Sequence, residues 1–292
     1  MENTCIFVSS RGLMKSCNTY SSNHCSSNIY CNNLNDFSKP LKHRIIYINS
    51  NAIPHFAHTV FPTIKESIIL VTGDCDETMP NDLFQKMDFD GFINDKRIIK
   101  WFCQNWIGNH EKVTLMPIGL DYHTISNNHH EWGPCTIPIE QESLLQKIKE
   151  ESLPFSERIC KCYANFQFLT NTRYGYDRIS AIEKIPKDLV YYEPTKIKRL
   201  NTWVNQSKYA FVISPHGGGL DCHRTWEALC LGCIPIIKKS PISYLFEDLP
   251  VLIVENWEDI SEKLLHSIIQ DFKNKKYNFE KLKLSYWTKQ FN

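Results

Sequence analysis

One stretch of the sequence gathers the residue types that bind a phosphate. It reads Ser214-Pro-His-Gly-Gly-Gly-Leu-Asp-Cys-His-Arg-Thr-Trp-Glu227. A glycine loop before a helix leaves backbone N–H groups and the positive end of the helix dipole available to an anion. Arg224 adds a forked, permanently charged donor that suits a diphosphate, and Glu227 can accept both hydroxyls of a ribose. The alternative is a surface Arg–Glu pair beside ordinary turn glycines.

A second set of reactive residues follows an apolar run, in Thr72-Gly-Asp-Cys-Asp-Glu77. Neighbouring carboxylates repel each other, which raises the pKa of one of them toward a value useful for a general base. Asp74 and Asp76 are therefore the predicted catalytic residues, and His55 is a lesser candidate. Asp74-Cys-Asp76 also fits an Asp-x-Asp metal-binding pattern. That pattern recurs at 88–90, so it is only weakly specific.

The elements that position these residues alternate between strand and helix. The sequence predicts a strand over 209–213, then the glycine loop, then a helix with Asp221 as N-cap and Gly232 as C-cap, and finally a strand over 234–237. Such alternation favours parallel sheets and an α/β fold. Further strands are predicted at 5–8, 44–49, 68–71, 113–117, 159–166, 189–192 and 251–254. Further helices are predicted at 96–106, 139–151, 173–185, 196–207 and 258–272.

At this point the chain resembles a known family. Ser214-Pro-x-Gly, Arg224-x-x-Glu227-Ala and Gly232-Cys-Ile-Pro-Ile are similar to the nucleotide-sugar signature of exostosin-like glycosyltransferases. The string over 216–227 is most similar to the small exostosin-like enzymes of large algal DNA viruses, the chlorovirus glycosyltransferases. The specific similarity covers about residues 205–260. Weaker similarities lie at 9–12, 72–76, 117–122 and 163–166.

The resemblance implies a fold of GT-B type, with two Rossmann-like domains whose parallel sheets face a central cleft. The acceptor-side domain is expected at 1–120 together with a C-terminal helix at 275–292, and the nucleotide-sugar (donor) domain at 121–274. Donor-binding residues are expected at Ser214, His216, Gly217, Gly218, Gly219, Leu220, Arg224, Glu227, Arg173, Asn165 and Tyr192. Acceptor-side residues are expected at Ser10, Arg11, Gly12 and His55.

The expected activity is transfer of a sugar from a nucleoside diphosphate sugar to a glycan hydroxyl, with inversion and an aspartate base. The resemblance favours UDP as the nucleotide and xylose as the sugar. No cofactor is expected, and manganese or magnesium is not expected to be essential. Three alternatives remain open: a metal-dependent glycosyltransferase using Asp74-Cys-Asp76, a nucleotide-dependent oxidoreductase, and a non-catalytic nucleotide-sugar binding protein.

Composition limits the partners. The 292 residues carry a net charge of +1, so the protein lacks the basic surface that usually binds nucleic acid. Hydrophobic residues make up 42% of the chain, which is enough to form hydrophobic cores. No basic leader or apolar run of about 18 residues is present, which predicts a protein without a transmembrane anchor in the cytoplasm, or in the host cytoplasm if viral. The 12 cysteines are scattered. Cys17, Cys25, Cys31 and His24 fit no paired zinc-binding spacing.

Overall fold

Two parallel β-sheets organise the chain, one in each half. The computed structural model describes residues 2–21, 44–85, 87–166, 170–272 and 274–291. The first sheet contains, in spatial order, β1 (Arg44–Asn49), β2 (Ile68–Gly73), β3 (Ile98–Gln104) and β4 (Val113–Met116). The second contains β5 (Ile159–Ala164), β6 (Val190–Tyr192), β7 (Tyr209–Ile213), β8 (Ile234–Lys238) and β9 (Leu252–Val254). Its spatial order is β6-β5-β7-β8-β9, and every pairing in both sheets is parallel.

Helices connect these strands. They are α1 (Ser10–Lys15), α2 (Ile53–His55), α3 (Phe89–Asn94), α4 (Pro138–Glu151), α5 (Gly175–Lys184), α6 (Arg199–Gln206), α7 (His223–Cys230), α8 (Glu262–Phe272) and α9 (Leu284–Thr288). In the second sheet the strand order reverses between β5 and β7. Ligands of doubly wound sheets bind beyond the carboxyl ends of the strands at such a switch point. The predicted α/β architecture, two halves that each contain a parallel sheet, is confirmed.

The carboxyl ends of the two sheets face each other. The loop after β2 reaches the glycine loop after β7, where a Cβ added to Gly218 would overlap the Asp76 carboxylate. The backbone N–H of Ile118, two residues after β4, donates to Asp221 at 2.7 Å. Asn105, directly after β3, accepts from the backbone N–H of Asp221 at 3.1 Å. The residues predicted to do chemistry therefore lie at a common boundary.

Local sequence features explain the strand–loop–helix unit that β7, the glycine loop and α7 form. Tyr209–Ile213 is an apolar, largely buried run, and Pro215 follows it with no N–H to continue a strand ladder. Helix α7 buries Trp226, Leu229 and Cys230 on one face. Gly232 has φ of +76°, the left-handed conformation that a helix C-terminus requires, as the sequence predicted.

Three sequence predictions about local structure are wrong. The segment predicted as helix 96–106 contains strand β3, whose Trp101, Phe102 and Cys103 are buried between β2 and β4. The strand predicted at 5–8 is reduced to an isolated bridge at Phe7, and helix α1 begins at Ser10. Asp221 does not cap α7, since Cys222 occupies the N-cap without a side-chain bond.

The C-terminal segment lies on the first half. The backbone N–H of Val8 donates to Leu282 at 2.8 Å, and that of Leu284 donates to Ile6 at 2.8 Å. The Phe291 ring packs against Phe102, with 4.9 Å between ring centroids. The domain limits of the sequence analysis remain predictions. No helix among the described residues combines the length and apolar character needed to cross a bilayer.

Candidate functional site

A cleft of about 740 Å³ lies between the carboxyl ends of the two sheets. Seven of the residues singled out from the sequence line it: Asp76, Asn165, Gly217, Gly218, Gly219, Arg224 and Glu227. Side chains from α5, α6 and the first turn of α7 complete the wall, notably Arg178, Arg199 and His223. The site therefore combines loops that follow strands of both halves with three helices of the second half.

The glycine loop is narrow because side chains from two directions lie directly on it. A Cβ on Gly217 would overlap the Arg178 guanidinium, and one on Gly218 would overlap the Asp76 carboxylate. A Cβ on Gly219 would come within 2.9 Å of the Asp76 carbonyl oxygen and of Nδ2 of Asn105. The consecutive glycines thus allow a cation from α5 and a carboxylate from the first half to approach the same backbone.

Asp76 is the acidic residue of the first half that faces the cleft. Its side chain is exposed at the cleft; partial desolvation of the carboxyl and next the neighbouring Glu77 raise its pKa, while His223 and Arg178 lower it. A carboxylate with a raised pKa in a cleft has the properties of a general base.

Asp74 lies outside the cleft lining, held by neighbours of its own. Its backbone has φ of +56°, a left-handed conformation in which an aspartate is tolerated. Its carboxylate accepts from Ser10 Oγ at 3.3 Å and lies 3.4 Å from Nε of Arg11. His123 Nε2 lies 3.9 Å away. The predicted acceptor-side residues Ser10 and Arg11 therefore contact Asp74 from helix α1.

Two amide side chains at the end of β3 hold the loop that carries both aspartates. Gln104 accepts from the backbone N–H of Asp74 at 2.8 Å and donates to the carbonyl of Cys75 at 3.1 Å. Asn105 donates to the same carbonyl at 3.2 Å. Neither amide was predicted as a site residue, because residues 96–106 were predicted to form a helix. A Gln-Asn pair directly after the apolar run 101–103 was the available signal.

Two arginines make the part of the cleft beside the glycine loop basic. Burial lowers the pKa of Arg178, and the nearby positive charge of Arg224 lowers it further. Nη1 of Arg224 lies 3.5 Å from the carbonyl oxygen of Pro215, and its guanidinium lies 5.5 Å from the centre of the Phe166 ring. Both arginines therefore lie at the glycine loop, where α7 begins.

Glu227 lies beside Arg199, whereas the alternative of a surface Arg–Glu pair would have paired it with Arg224. Nε of Arg199 lies 3.8 Å from Glu227, and Nη2 of Arg199 lies 2.6 Å from Asp121. Burial raises the pKa of Glu227, while Arg199 and His223 oppose that shift. Burial also favours neutral Asp121, but Arg199, His123 and His223 outweigh it and lower the pKa of Asp121. Glu227 thus lines the cleft as a hydrogen-bond acceptor, with Arg199 of α6 beside its carboxylate.

Several expected donor residues lie behind the cleft wall. His216 is buried, and its Nδ1 lies 2.9 Å from the carbonyl oxygen of Leu220, closing the glycine loop from below. Ser214 Oγ lies 2.8 Å from Thr225 Oγ1 and joins β7 to α7. These residues, with Leu220, shape the loop.

Four other expected residues lie outside the cleft lining. Arg173 pairs with Asp82 of the first half. Tyr192 donates to the carbonyl of Ala181 at 3.4 Å. His55 is in the short helix α2, and Gly12 packs against Ser9 and Leu284 in α1. The structure does not bring these four to the cleft.

The outer end of the cleft is lined by residues beyond β5 and β6. Glu193 is buried, and its Oε1 accepts from Tyr163 Oη at 2.8 Å and from Asn205 Nδ2 at 2.7 Å. Asn165 donates to Thr202 at 2.7 Å. This end offers fixed polar groups to a ligand.

No metal site is evident in the part of the chain that the structure describes. No group of three or more His, Cys, Asp or Glu side chains there is arranged to hold an ion. Cys17 is buried and unpaired, while Cys25, Cys31 and His24 lie outside the described residues. That manganese or magnesium is not essential therefore stays a prediction.

Comparisons with known proteins found structural similarity only. No protein-family model and no curated protein matches the chain. A crystal structure of an α1,3-fucosyltransferase with GDP-fucose is 12% identical, with a TM-score of 0.42, covering 87% of this chain and 77% of that one. A structure described as trehalose-6-phosphate from E. coli bound with UDP-2-fluoro glucose is 12% identical, with a TM-score of 0.39, covering 86% of this chain and 73% of that one. At these values neither structure assigns a residue role or an activity to this chain.

Proposed function

We propose that the protein is a glycosyltransferase that moves a sugar from a nucleoside diphosphate sugar to a hydroxyl of a glycan. One observation carries the proposal. At the switch point of the second sheet, two arginines, a helix N-terminus and the Asp76 carboxylate of the first half line a single cleft. Basic groups suit a leaving diphosphate, and the carboxylate suits a hydroxyl that must lose its proton.

The roles follow from position. The diphosphate binds at Arg178, Arg224 and the glycine loop, where positive charge stabilises the negative charge that develops on the leaving group. Glu227 accepts the ribose hydroxyls. Of the two predicted bases, Asp76 is favoured because it lines the cleft, whereas Asp74 contacts Ser10 and Arg11.

The reaction is a single displacement. The acceptor oxygen forms a bond to the anomeric carbon, and the bond from that carbon to the phosphate oxygen breaks. The electron pair leaves with the nucleoside diphosphate, and the acceptor proton moves to Asp76. Attack from the side opposite the leaving group inverts the anomeric centre. Uridine and xylose are proposed on the sequence resemblance. Independence from metal and a cytoplasmic location are also proposed, as the sequence analysis predicted.

A thermal-shift screen against UDP-, GDP- and CMP-sugars tests the proposal, because a ligand that binds only the folded state raises its melting temperature. One nucleotide series should stabilise the protein, and the stabilising nucleotide sugar should release its nucleoside diphosphate when a glycan acceptor is added. Release should persist in EDTA. Stabilisation by NADH and by no nucleotide sugar would instead favour the oxidoreductase, and binding without release the non-catalytic protein.

A further inference from the structure

We infer that Glu193 selects the nucleobase of the donor by accepting a hydrogen bond from the ring N–H of uracil N3 or guanine N1; this deepens the proposed function and rests on it. Glu193 directly follows β6 and lines the outer end of the cleft. Its side chain is nevertheless buried, with the residue only 7% exposed. A carboxylate in such a position is costly unless its oxygens find hydrogen-bond partners.

The protein supplies partners to one oxygen of Glu193. Oε1 accepts from Tyr163 Oη at 2.8 Å and from Asn205 Nδ2 at 2.7 Å. Oε2 makes no hydrogen bond or ion pair with any residue in the described part of the chain. Because Glu193 lines the cleft and its other oxygen is held, Oε2 is the acceptor that it offers to a ligand.

Helix α6 connects Glu193 to the proposed ribose site. Arg199 at its start lies beside Glu227, and Asn205 near its end donates to Glu193. These two α6 residues are six positions apart, which is about 9 Å along the helix axis. The proposed diphosphate site is the glycine loop, so the base of the same nucleotide lies at its other end. A base joined to a ribose at Glu227 can therefore extend along α6 toward Glu193.

A carboxylate at this place distinguishes nucleobases by their hydrogen-bonding edges. A carboxylate only accepts hydrogen bonds. Uracil N3 and guanine N1 each carry a hydrogen, whereas cytosine N3 and adenine N1 each present a lone pair. A lone pair facing Oε2 would oppose two acceptors in a buried place and leave both without a donor, which is unfavourable. Glu193 therefore favours uracil or guanine over cytosine and adenine.

Two matched pairs of nucleotides test the specificity of the unmodified protein. UDP and CDP differ in the hydrogen at N3 and in the neighbouring group at C4, and GDP and ADP provide the corresponding purine pair. In calorimetry, in whichever pair the cleft binds, the nucleotide with the ring N–H should bind at least about tenfold more tightly. Equal affinity within that pair would overturn the inference and leave the proposed function standing.

Glu193→Gln should invert the hydrogen-bonding character of the atom in the cleft. Asn205 is oriented by its Oδ1, which accepts from Lys208 Nζ at 3.1 Å, so its Nδ2 continues to require an acceptor. The glutamine oxygen therefore takes the place of Oε1, and its NH₂ group, a donor, takes the place of Oε2. UDP should bind about tenfold more weakly, whereas CDP should bind as well as before or better, so the ratio of their affinities falls.

Glu131→Gln is the matched control. It makes the same change at an exposed glutamate that pairs with Lys196, and it should leave the ratio of UDP to CDP affinity unchanged. Circular dichroism and the melting temperature establish that each variant is folded.

Two results with Glu193→Gln would refute the role of this residue. Equal weakening of UDP and CDP would show that Glu193 supports the shape of the cleft without reading the base. Unchanged affinity for both nucleotides would show that it has no binding role. If no nucleoside diphosphate binds the unmodified protein, the proposed function fails together with the inference.

Discussion

At the residue scale, the proposed function depends on three side chains that line the cleft, Arg224, Glu227 and Asp76. The sequence predicted all three because their types and spacing are local features of two short stretches. Arg199 and Asn105 were missed because each acts across the molecule. Arg199 lies in α6 yet contacts Asp121 and Glu227, and Asn105 follows β3 yet bonds Cys75 and Asp221. Such contacts depend on how the two sheets face each other, which residue spacing does not encode.

Arg224 and Glu227 should each contribute to nucleotide affinity. Arg224→Ala and Glu227→Ala remove charged hydrogen-bonding groups and should each weaken binding of the stabilising nucleoside diphosphate by about 1–3 kcal/mol in calorimetry. Arg173→Ala is the matched control, because Arg173 pairs with Asp82 outside the cleft and its loss should leave affinity unchanged. A larger loss from Arg173 than from Arg224 would contradict the placement of the diphosphate.

Substitutions at Asp76 and Asp74 should lower turnover by different amounts. Asp76→Asn keeps the shape of the side chain but removes the base, so donor affinity should persist while kcat falls about a hundredfold or more. Asp74→Asn, which alters contacts to Ser10 and Arg11, should reduce kcat less. Steady-state kinetics with a saturating donor measures both. Undiminished turnover by Asp76→Asn would exclude it as the base.

At the element scale, the strand–loop–helix unit at 209–232 was predictable and β3 was not. The first has strong local signals: a buried apolar strand, Pro215, three glycines and a C-terminal glycine at 232. The second is a short apolar run, Trp101-Phe102-Cys103, among polar residues, and such runs fit a strand or a buried helix equally. Only the neighbouring strands β2 and β4, which pair with it on both sides, decide for a strand.

The glycine loop should tolerate a side chain poorly at Gly218. The added methyl group of Gly218→Ala overlaps the Asp76 carboxylate, so Asp76 must turn away. Turnover should fall, and the free energy of unfolding should fall by about 1–3 kcal/mol. In the Asp76→Ala background the same change should cost less stability, because the overlapping group is gone. Equal costs in both backgrounds, measured by urea unfolding, would contradict the contact.

At the scale of the whole molecule, the two halves share a core as well as a cleft. Trp226 and Leu229 of α7 belong to the same buried apolar cluster as Leu70 and Trp101 of the first sheet. A second cluster covers the far side of the second sheet. The buried Asp221 spans the boundary, accepting from Ile118 of the first half and from Trp226 Nε1 of its own. The halves therefore meet through fixed contacts that hold the walls of the cleft in place.

Asp221 should make the stability of this boundary depend on pH. Burial raises its pKa to about 6, against about 3.9 in an unfolded chain. Its ionisation therefore costs the folded state nothing below about pH 4, and the full cost is present above about pH 6. Asp221→Asn does not titrate and can satisfy only one of the two donors, so it should be less stable than the unmodified protein at pH 4.5.

The difference in unfolding free energy between the two proteins should narrow by about 2 kcal/mol at pH 7.5, because the unmodified protein then bears the cost of a buried charge. Urea unfolding at both pH values measures it. A difference that stays constant or widens as pH rises would show that Asp221 does not titrate as described.

Sugar transfer itself is the most direct test of the proposed function. The nucleotide sugar that stabilises the protein is incubated with glycan acceptors, and mass spectrometry of the acceptor is combined with quantification of released nucleoside diphosphate. We expect the acceptor to gain one sugar residue for each nucleoside diphosphate released, with no transfer by Asp76→Asn at undiminished donor affinity. A nucleotide sugar that binds the cleft but is neither transferred nor cleaved with any acceptor would contradict a glycosyltransferase.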